Sequence, residues 1–372
     1  MRIAQVAPLY ESVPPKYYGG TERVVSYLTE ALVRMGHEVT LYASGDSVTS
    51  ARLRPACENA LRLDTSSTDP TADHIFMAEK LFQEAGEFDL VHSHMDYLAL
   101  PLLRRMRTPH VTTLHGRLNI TNLVNLYREF RDEPLTSISD HQRVPLEWAN
   151  WQATVYHGLP EDLYGFHEQA GEYLAFLGRF SPEKRAEDAI EIARRAGLPL
   201  KIAAKVDKRD VEYFESVVKP LLLQGHVEFV GEIGEADKAE FLGNALALLF
   251  PIDWPEPFGL VMIEAMACGT PVIARGRGSV PEIVEDGLNG FVFEENDEAV
   301  EAIARLNQVS RRRCRQQFEQ RFTAARMAQD YVQVYERLIE AKSLPLPDLD
   351  RDGALGPQFP RGKGPSRFRD AA

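Results

Sequence analysis

The chain has 372 residues, a length for two or three domains. Hydrophobic residues make up 44% of it and charged residues 26%, an ordinary globular composition. With 42 Lys and Arg against 55 Asp and Glu the net charge is −13, which argues against bulk nucleic-acid binding but not against a locally positive site for a small anion.

Three cysteines, Cys57, Cys268 and Cys314, lie far apart with no C-x-x-C. This excludes a disulfide framework and a cysteine-rich zinc site, and suits a reducing, cytoplasmic setting. No apolar run approaches the ~20 residues of a membrane span; the longest is Ala245 to Ile252. Met1-Arg2-Ile3 runs straight into a strand-like segment, so no signal peptide is expected.

Ile3 to Pro8 is short, apolar and rich in strand formers. A loop carrying Tyr17 and Tyr18 follows, and Gly20 to Gly36 has helical spacing, with Val24, Leu28, Ala31/Leu32 and Met35 on one face. Gly36 stands where a glycine closes a helix. His37 to Ala43 reads as the next strand. Strand-like segments recur at Asp89–Ser93, Val111–Leu114, Leu135–Ser139 and Ala153–Tyr156, with helical segments between them. Alternating β and α with short connections implies a parallel sheet covered on both faces. Residues 157–171 are loop-like. A second series then begins: a strand at Tyr173–Leu177, a helix at Ala186–Ala196 stopped by Gly197, and strands at Leu200–Ala204, Val227–Val230, Ala247–Pro251, Pro271–Ala274 and Gly290–Phe293. The remainder to about Ala341 reads as helix. The predicted fold is α/β: two doubly wound, Rossmann-like domains, spanning 1–165 and 166–342. The 30 residues from Ser343 hold five Pro, four Gly and few aliphatics, and read as a disordered tail over 343–372.

In open parallel sheets ligands bind beyond the carboxyl ends of the strands. There stands Gly178-Arg179-Phe180-Ser181-Pro182-Glu183-Lys184, with two cations on a turn leading into a helix. Arg offers a planar fork to phosphate oxygens and Lys a point charge, so the pair suits a diphosphate. Alone, it reads more readily as a solvated charged turn. After Pro251 comes Glu256-Pro257-Phe258-Gly259-Leu260, with Pro257 placed as a first-turn proline and the amides of Phe258, Gly259 and Leu260 as orphan donors at a helix start. Glu264 interrupts the apolar run Leu260–Ala267, and a carboxylate there needs partners. Sugar hydroxyls, which donate, would serve.

Gly19-Gly20-Thr21-Glu22 opens the first helix, and its glycines permit close approach to an anion. It is not the G-x-G-x-x-G dinucleotide fingerprint. His115 follows a strand and should face the crevice. Lys205, after another strand, is a candidate phosphate contact, with a surface lysine as the plain alternative. His92-Ser93-His94 with Asp96 hints at a metal, but no further ligand is specified. No metal site is therefore predicted.

Taken together, Glu256 to Glu264 and the following residues to Ala274 resemble the E-x7-E signature of retaining glycosyltransferases of family 4. Gly178 to Lys184 is similar to that family's G-R-x-x-x-x-K, and Gly278 to Glu282 with Gly287 and Gly290 looks like its next segment. Gly19-Gly20-Thr21-Glu22 and His115-Gly116 match as well. The resemblance covers about residues 1–340 and is strongest to the branch of avilamycin-biosynthesis-type transferases. It implies the GT-B architecture, two Rossmann-like domains facing across a cleft. The C-terminal domain would bind a nucleotide-diphosphate-sugar and the N-terminal domain a hydroxyl acceptor, with part of 323–341 crossing back. By position, the resemblance implies that Glu256 and the amides near Phe258–Leu260 hold the donor sugar, while Glu264 holds the ribose. Arg179 and Lys184 would neutralise the diphosphate, Gly19 and Gly20 approach it, and His115 lie near the sugar. It implies no metal and no cofactor, the sugar nucleotide being a substrate. The junction Tyr156-His157-Gly158-Leu159-Pro160 departs from the P-N-G-V-D type of many relatives, so contacts assumed for that loop do not carry over. Competing readings are a sugar-nucleotide 2-epimerase of the same fold, a non-catalytic sugar-nucleotide-binding protein, and a nicotinamide-dependent dehydrogenase, the last disfavoured by the missing fingerprint.

Overall fold

The computed structural model describes residues 1–16, 19–62, 64 and 69–343. Tyr17, Tyr18 and the tail from residue 344 lie outside the described residues.

Seven strands form the first sheet: β1 (Arg2–Val6), β2 (Glu38–Ala43), β3 (Arg52–Pro55), β4 (Leu90–Ser93), β5 (His110–Thr113), β6 (Leu135–Ser137) and β7 (Trp151–Thr154). They are parallel, in the order β3-β2-β1-β4-β5-β6-β7. Six strands form the second: β8 (Tyr173–Phe180), β9 (Leu200–Val206), β10 (Val227–Gly231), β11 (Ala245–Phe250), β12 (Val272–Arg275) and β13 (Gly290–Phe293). They too are parallel, in the order β10-β9-β8-β11-β12-β13. Both orders place a topological switch beside the first strand of the domain, where the crevice beyond the strand ends receives ligands. This is the predicted pair of Rossmann-like domains in GT-B arrangement.

Helix ends follow the local chemistry. The helix Gly20–Arg34 buries Val24, Val25, Leu28, Ala31 and Leu32. Its end is a Schellman motif: Gly36, at φ 86°, donates to the Val33 carbonyl and His37 to that of Leu32. Met35, expected on the buried face, is 41% exposed because the helix has already turned into this cap. Gly197 closes the helix Ala186–Ala196 in the same way, at φ 69°.

One strand escaped the sequence reading and two boundaries need correction. β3, whose sequence is RLRP, is an edge strand with half-exposed side chains, so no apolar alternation marked it. β8 runs to Phe180 rather than Leu177, because it continues to pair with β9 through Arg179 opposite Lys205 to Phe180 opposite Val206. The helix after β11 begins at Leu260, not at Pro257: Gly259, at φ 80°, turns the chain into it.

The last helix, Ala324–Ser343, lies on the N-terminal sheet. Met327, Ala328, Tyr331, Val334 and Tyr335 form its buried stripe. The outgoing and returning chains are stitched together where they pass. Leu159 donates to the Phe322 carbonyl and Ala324 to that of Leu159. A Cβ on Gly158 would lie 2.2 Å from the Thr323 oxygen, so only glycine permits this crossing.

Candidate active site

The carboxyl ends of both sheets open onto one cavity of about 760 Å³. Every candidate residue lines it: Gly19, Gly20 and His115 from the N-terminal domain, and Arg179, Lys184, Lys205, Glu256, Phe258, Gly259, Leu260 and Glu264 from the C-terminal one. The glycine loop faces the helix start directly, for a Cβ built on Gly20 would lie 3.8 Å from Leu260 Cδ1. The first amides of the Leu260–Cys268 helix have no partner within the helix and carry its positive end.

Glu256 is buried, and its Oε2 accepts from Lys184 Nζ at 2.5 Å and from Trp254 Nε1 at 3.0 Å. Its position is set by the segment after β12. Ser279 donates its amide to the Glu256 carbonyl and its hydroxyl to the Phe258 carbonyl. Gly278, at φ 60°, lies so close that a Cβ would be 2.3 Å from the Glu256 backbone nitrogen and oxygen. Lys184 sits on a single turn, Pro182–Lys184, and its ammonium also lies over the rings of Phe250 and Trp254.

Arg179 is on the strand rather than on the turn, and carboxylates surround it. Its Nη2 donates to Glu183 at 2.7 Å, and Asp207 and Asp210 lie at 3.6 and 3.4 Å. An incoming anion would have to compete with these for the guanidinium. Lys205 Nζ is 3.8 Å from Asp207.

Glu264 finds a partner that spacing did not reveal: Lys238, from the helix Glu235–Gly243, donates to its Oε1 at 2.8 Å. Lys238 is also 3.5 Å from Glu235, which pairs across the cleft with Arg23 and accepts from the Tyr164 hydroxyl. Glu264 is thus the end of a charged chain reaching the N-terminal domain. Lys238, Glu235, Arg23 and Trp254 escaped sequence reading because each is an ordinary residue on a surface-type segment until its partner is known.

His115 lines the cavity, yet its Nε2 turns inward, 2.9 Å from His94 Nδ1, and its amide donates to Asp96 at 3.2 Å. His157 stacks on it with ring centroids 5.3 Å apart. Burial pushes the His115 imidazole down to about 3 and the Asp96 carboxyl up to about 6. His92, on β4, and His94, just after it, are bonded to Thr113, Tyr335, Gln5 and His115. Among the described residues no three metal-ligating side chains converge. No helix among them is long and apolar enough to cross a membrane.

Residues 18–158 match the family model described as Glycosyltransferase Family 4, and residues 166–321 the one described as Glycosyl transferases group 1. An uncharacterized glycosyltransferase of Methanocaldococcus jannaschii is 29% identical over 229 residues, 58% of this chain and 63% of that protein. The D-inositol 3-phosphate glycosyltransferase of Frankia alni is 26% identical, over 76% of this chain and 83% of that one. Among solved structures, AviGT4, a glycosyltransferase involved in avilamycin A biosynthesis, superposes with a TM-score of 0.67 at 24% identity, covering 91% of this chain and 98% of its own. Anabaena HepE, solved in complex with UDP and glucose, gives 0.69 at 18%, covering 91% and 100%.

Proposed function

This chain belongs to the GT-B glycosyltransferases, with family 4 and group 1 domains, and from that premise we propose that it moves a hexose from a nucleotide-diphosphate-sugar to an acceptor hydroxyl, with retention of configuration and without a metal ion. The observation that carries this is the convergence of the Arg179/Lys184 pair, the Glu256 and Glu264 carboxylates and the start of the Leu260–Cys268 helix on one wall of a cavity whose other wall holds His115. HepE, of the same fold, was solved with UDP and glucose, which supports a nucleoside diphosphate as the ligand class.

In this reading the bond from the anomeric carbon to the diphosphate oxygen breaks, and its electron pair stays with the diphosphate. Arg179, Lys184 and the helix amides stabilise the charge that develops there. That is why no metal is needed. Glu256 and the Phe258–Leu260 amides hold the sugar, Glu264 holds the ribose, and Gly19, Gly20 and Lys205 border the diphosphate. The acceptor oxygen bonds to the anomeric carbon on the face the diphosphate leaves, and its proton passes to a diphosphate oxygen. Each cation of this wall already has a carboxylate partner, Arg179 with Glu183 and Lys184 with Glu256, so a diphosphate would have to share these cations with those carboxylates.

The test is a thermal-unfolding panel with UDP, GDP, ADP, TDP and their hexose conjugates, with magnesium and with EDTA. A ligand at about 100 times its Kd stabilises by about 2.7 kcal/mol, a shift of a few degrees. A selective shift that persists in EDTA supports the reading. A folded protein that no nucleotide stabilises would overturn it. Incubating the selected donor alone separates transfer from 2-epimerisation, since only an epimerase changes the sugar without an acceptor.

A further inference from the structure

Gln5 is a buried polar residue in β1, an interior strand of the N-terminal sheet, and it sits at the middle of a hydrogen-bond chain. Its Nε2 lies 3.1 Å from the Tyr335 hydroxyl and 3.4 Å from His92 Nδ1. Its Oε1 lies 2.8 Å from His94 Nε2. Tyr335 is 2.7 Å from His92 Nδ1, and His92 Nε2 is 2.6 Å from Thr113 Oγ1. At the other end His94 Nδ1 meets His115 Nε2 at 2.9 Å. His115 Nδ1 is buried and has no partner.

Such a chain can run in two directions, and its free end decides between them. With the amide oxygen toward His94, that oxygen can only accept, so His94 carries its proton on Nε2. A neutral imidazole has one N–H, so His94 Nδ1 must accept, and His115 must donate from Nε2. The chain then ends on a bare lone pair at His115 Nδ1. With the amide reversed, every proton moves to the other nitrogen, and the chain ends on a buried N–H at His115 Nδ1 with nothing to receive it. Orphaned buried N–H groups are the rarer and costlier defect. The first direction is the stable one.

The surroundings keep the ring neutral. His94, just after β4, faces it with His92 packed against His94, His157 faces it from the interdomain junction, and Arg326 on the last helix lies near enough to disfavour charge on His157. Asp96 is the carboxylate at the ring's own backbone, and burial favours its neutral form. Lys184 and Glu256, which also border the cavity, neutralise one another.

We propose that Gln5 and His94 are positioning residues that hold His115 as the neutral tautomer with its proton on Nε2, and that this removes His115 as the base for the acceptor hydroxyl. The proton-bearing nitrogen is committed to His94 and the other is enclosed, so the ring orders the cavity wall and takes no proton. The catalytic meaning rests on the transferase reading above; the proton assignment rests on the geometry alone.

The experiment is long-range 1H–15N NMR of the full chain with 15N-labelled histidine, His115 and His94 being assigned by their loss in His115→Asn and His94→Asn. No ligand is added. The expected result is an Nε2–H pattern for both rings, unchanged between pH 5.5 and 8. In Gln5→Leu, which removes the acceptor at similar volume, both rings should lose that pattern in favour of the Nδ1–H form or a mixture. A wild-type His115 that is protonated on Nδ1, or that charges within this pH range, overturns the proposal even if Gln5→Leu fails to fold. An unchanged tautomer in a folded Gln5→Leu overturns the role of Gln5. Neither result depends on whether a sugar nucleotide binds, so the transferase reading stands or falls separately.

Discussion

Lys184 Nζ lies 2.5 Å from Glu256 Oε2, so the cation assigned to the diphosphate and the first carboxylate of the E-x7-E segment restrain each other. Each holds the other's rotamer, and Trp254 fixes the carboxylate from a second side. A donor that engages both would find a preset pair rather than two mobile side chains, which lowers the ordering cost of binding.

Lys184→Ala should therefore lower transfer by about 10²–10³-fold, the usual cost of deleting one group that stabilises transition-state charge. The loss should appear in kcat more than in donor KM. Arg179→Ala should behave alike, with a smaller effect because Glu183, Asp207 and Asp210 already share its guanidinium. Steady-state kinetics with the donor selected by the nucleotide panel measures this. Near wild-type kcat in both variants would remove the pair from the mechanism.

Gly278→Ala tests the support behind Glu256. The new Cβ would fall 2.3 Å from the Glu256 backbone, and the residue would be held at φ 60°. Backbone cannot yield as a flexible side chain can, and strain of this kind costs on the order of 1–3 kcal/mol. The expected outcome is a folded protein, lower in Tm by a few degrees, whose stabilisation by the sugar nucleotide falls further than its stabilisation by the bare nucleoside diphosphate. Equal losses for the two ligands would mean that Gly278 does not support the sugar end in particular.

Glu22, in the Gly19-Gly20-Thr21-Glu22 turn, predicts a pH dependence. Burial raises its carboxyl from the usual 4.5 to about 7. Below pH 4.5 the group is protonated whether the chain is folded or not. As the pH rises toward 7 the unfolded chain ionises it and the folded one does not, so stability is lost over that interval, by about 3 kcal/mol in full. Glu22→Gln lacks this penalty. Its stability relative to wild type should be level near pH 4 and rise to its maximum above pH 7, read from urea unfolding at several pH values. A difference that does not change with pH would show that Glu22 ionises normally.

The strands were legible where burial on both faces left unbroken apolar runs, as in β11 and β12, and both sheets followed from their alternation with helices. β3 was not, since an edge strand of sequence RLRP needs only a neighbour's backbone, not apolar side chains. The cavity wall was legible because residues just after parallel strands must meet at the sheet's carboxyl edge. The partners of those residues were not. Nothing in the sequence near Lys238 indicates that it meets Glu264, and nothing near Gln5 indicates that it meets Tyr335 from the last helix. Those pairings are set by how helices from distant parts of the chain dock, which local periodicity does not encode. Likewise, the helix start moved from Pro257 to Leu260 because Gly259 takes a left-handed conformation that residue type allows but does not require.

Glu282 gives the last prediction. It belongs to the Gly278–Glu282 segment of the C-terminal domain, but its carboxylate serves the other domain. Its two oxygens accept the amides of Asp140 and His141, each at 2.8 Å, at the start of the turn His141–Leu146, and the Tyr156 hydroxyl lies 3.0 Å away. On the other rim, Arg23 and Glu235 pair across the cleft. These contacts bridge the domains on both rims of the cavity. Bonds from backbone amides to a carboxylate are charge-assisted and worth more than neutral ones, so Glu282→Ala should release one rim while leaving each domain's core untouched. The expected result is a larger radius of gyration in solution scattering, which the selected donor reverses, and a donor affinity weakened by about tenfold, since a competent state populated only a tenth of the time lowers apparent affinity by that factor. An unchanged radius with unchanged affinity would mean that the Arg23–Glu235 pair and the crossing of Ala324–Ser343 suffice to set the cleft.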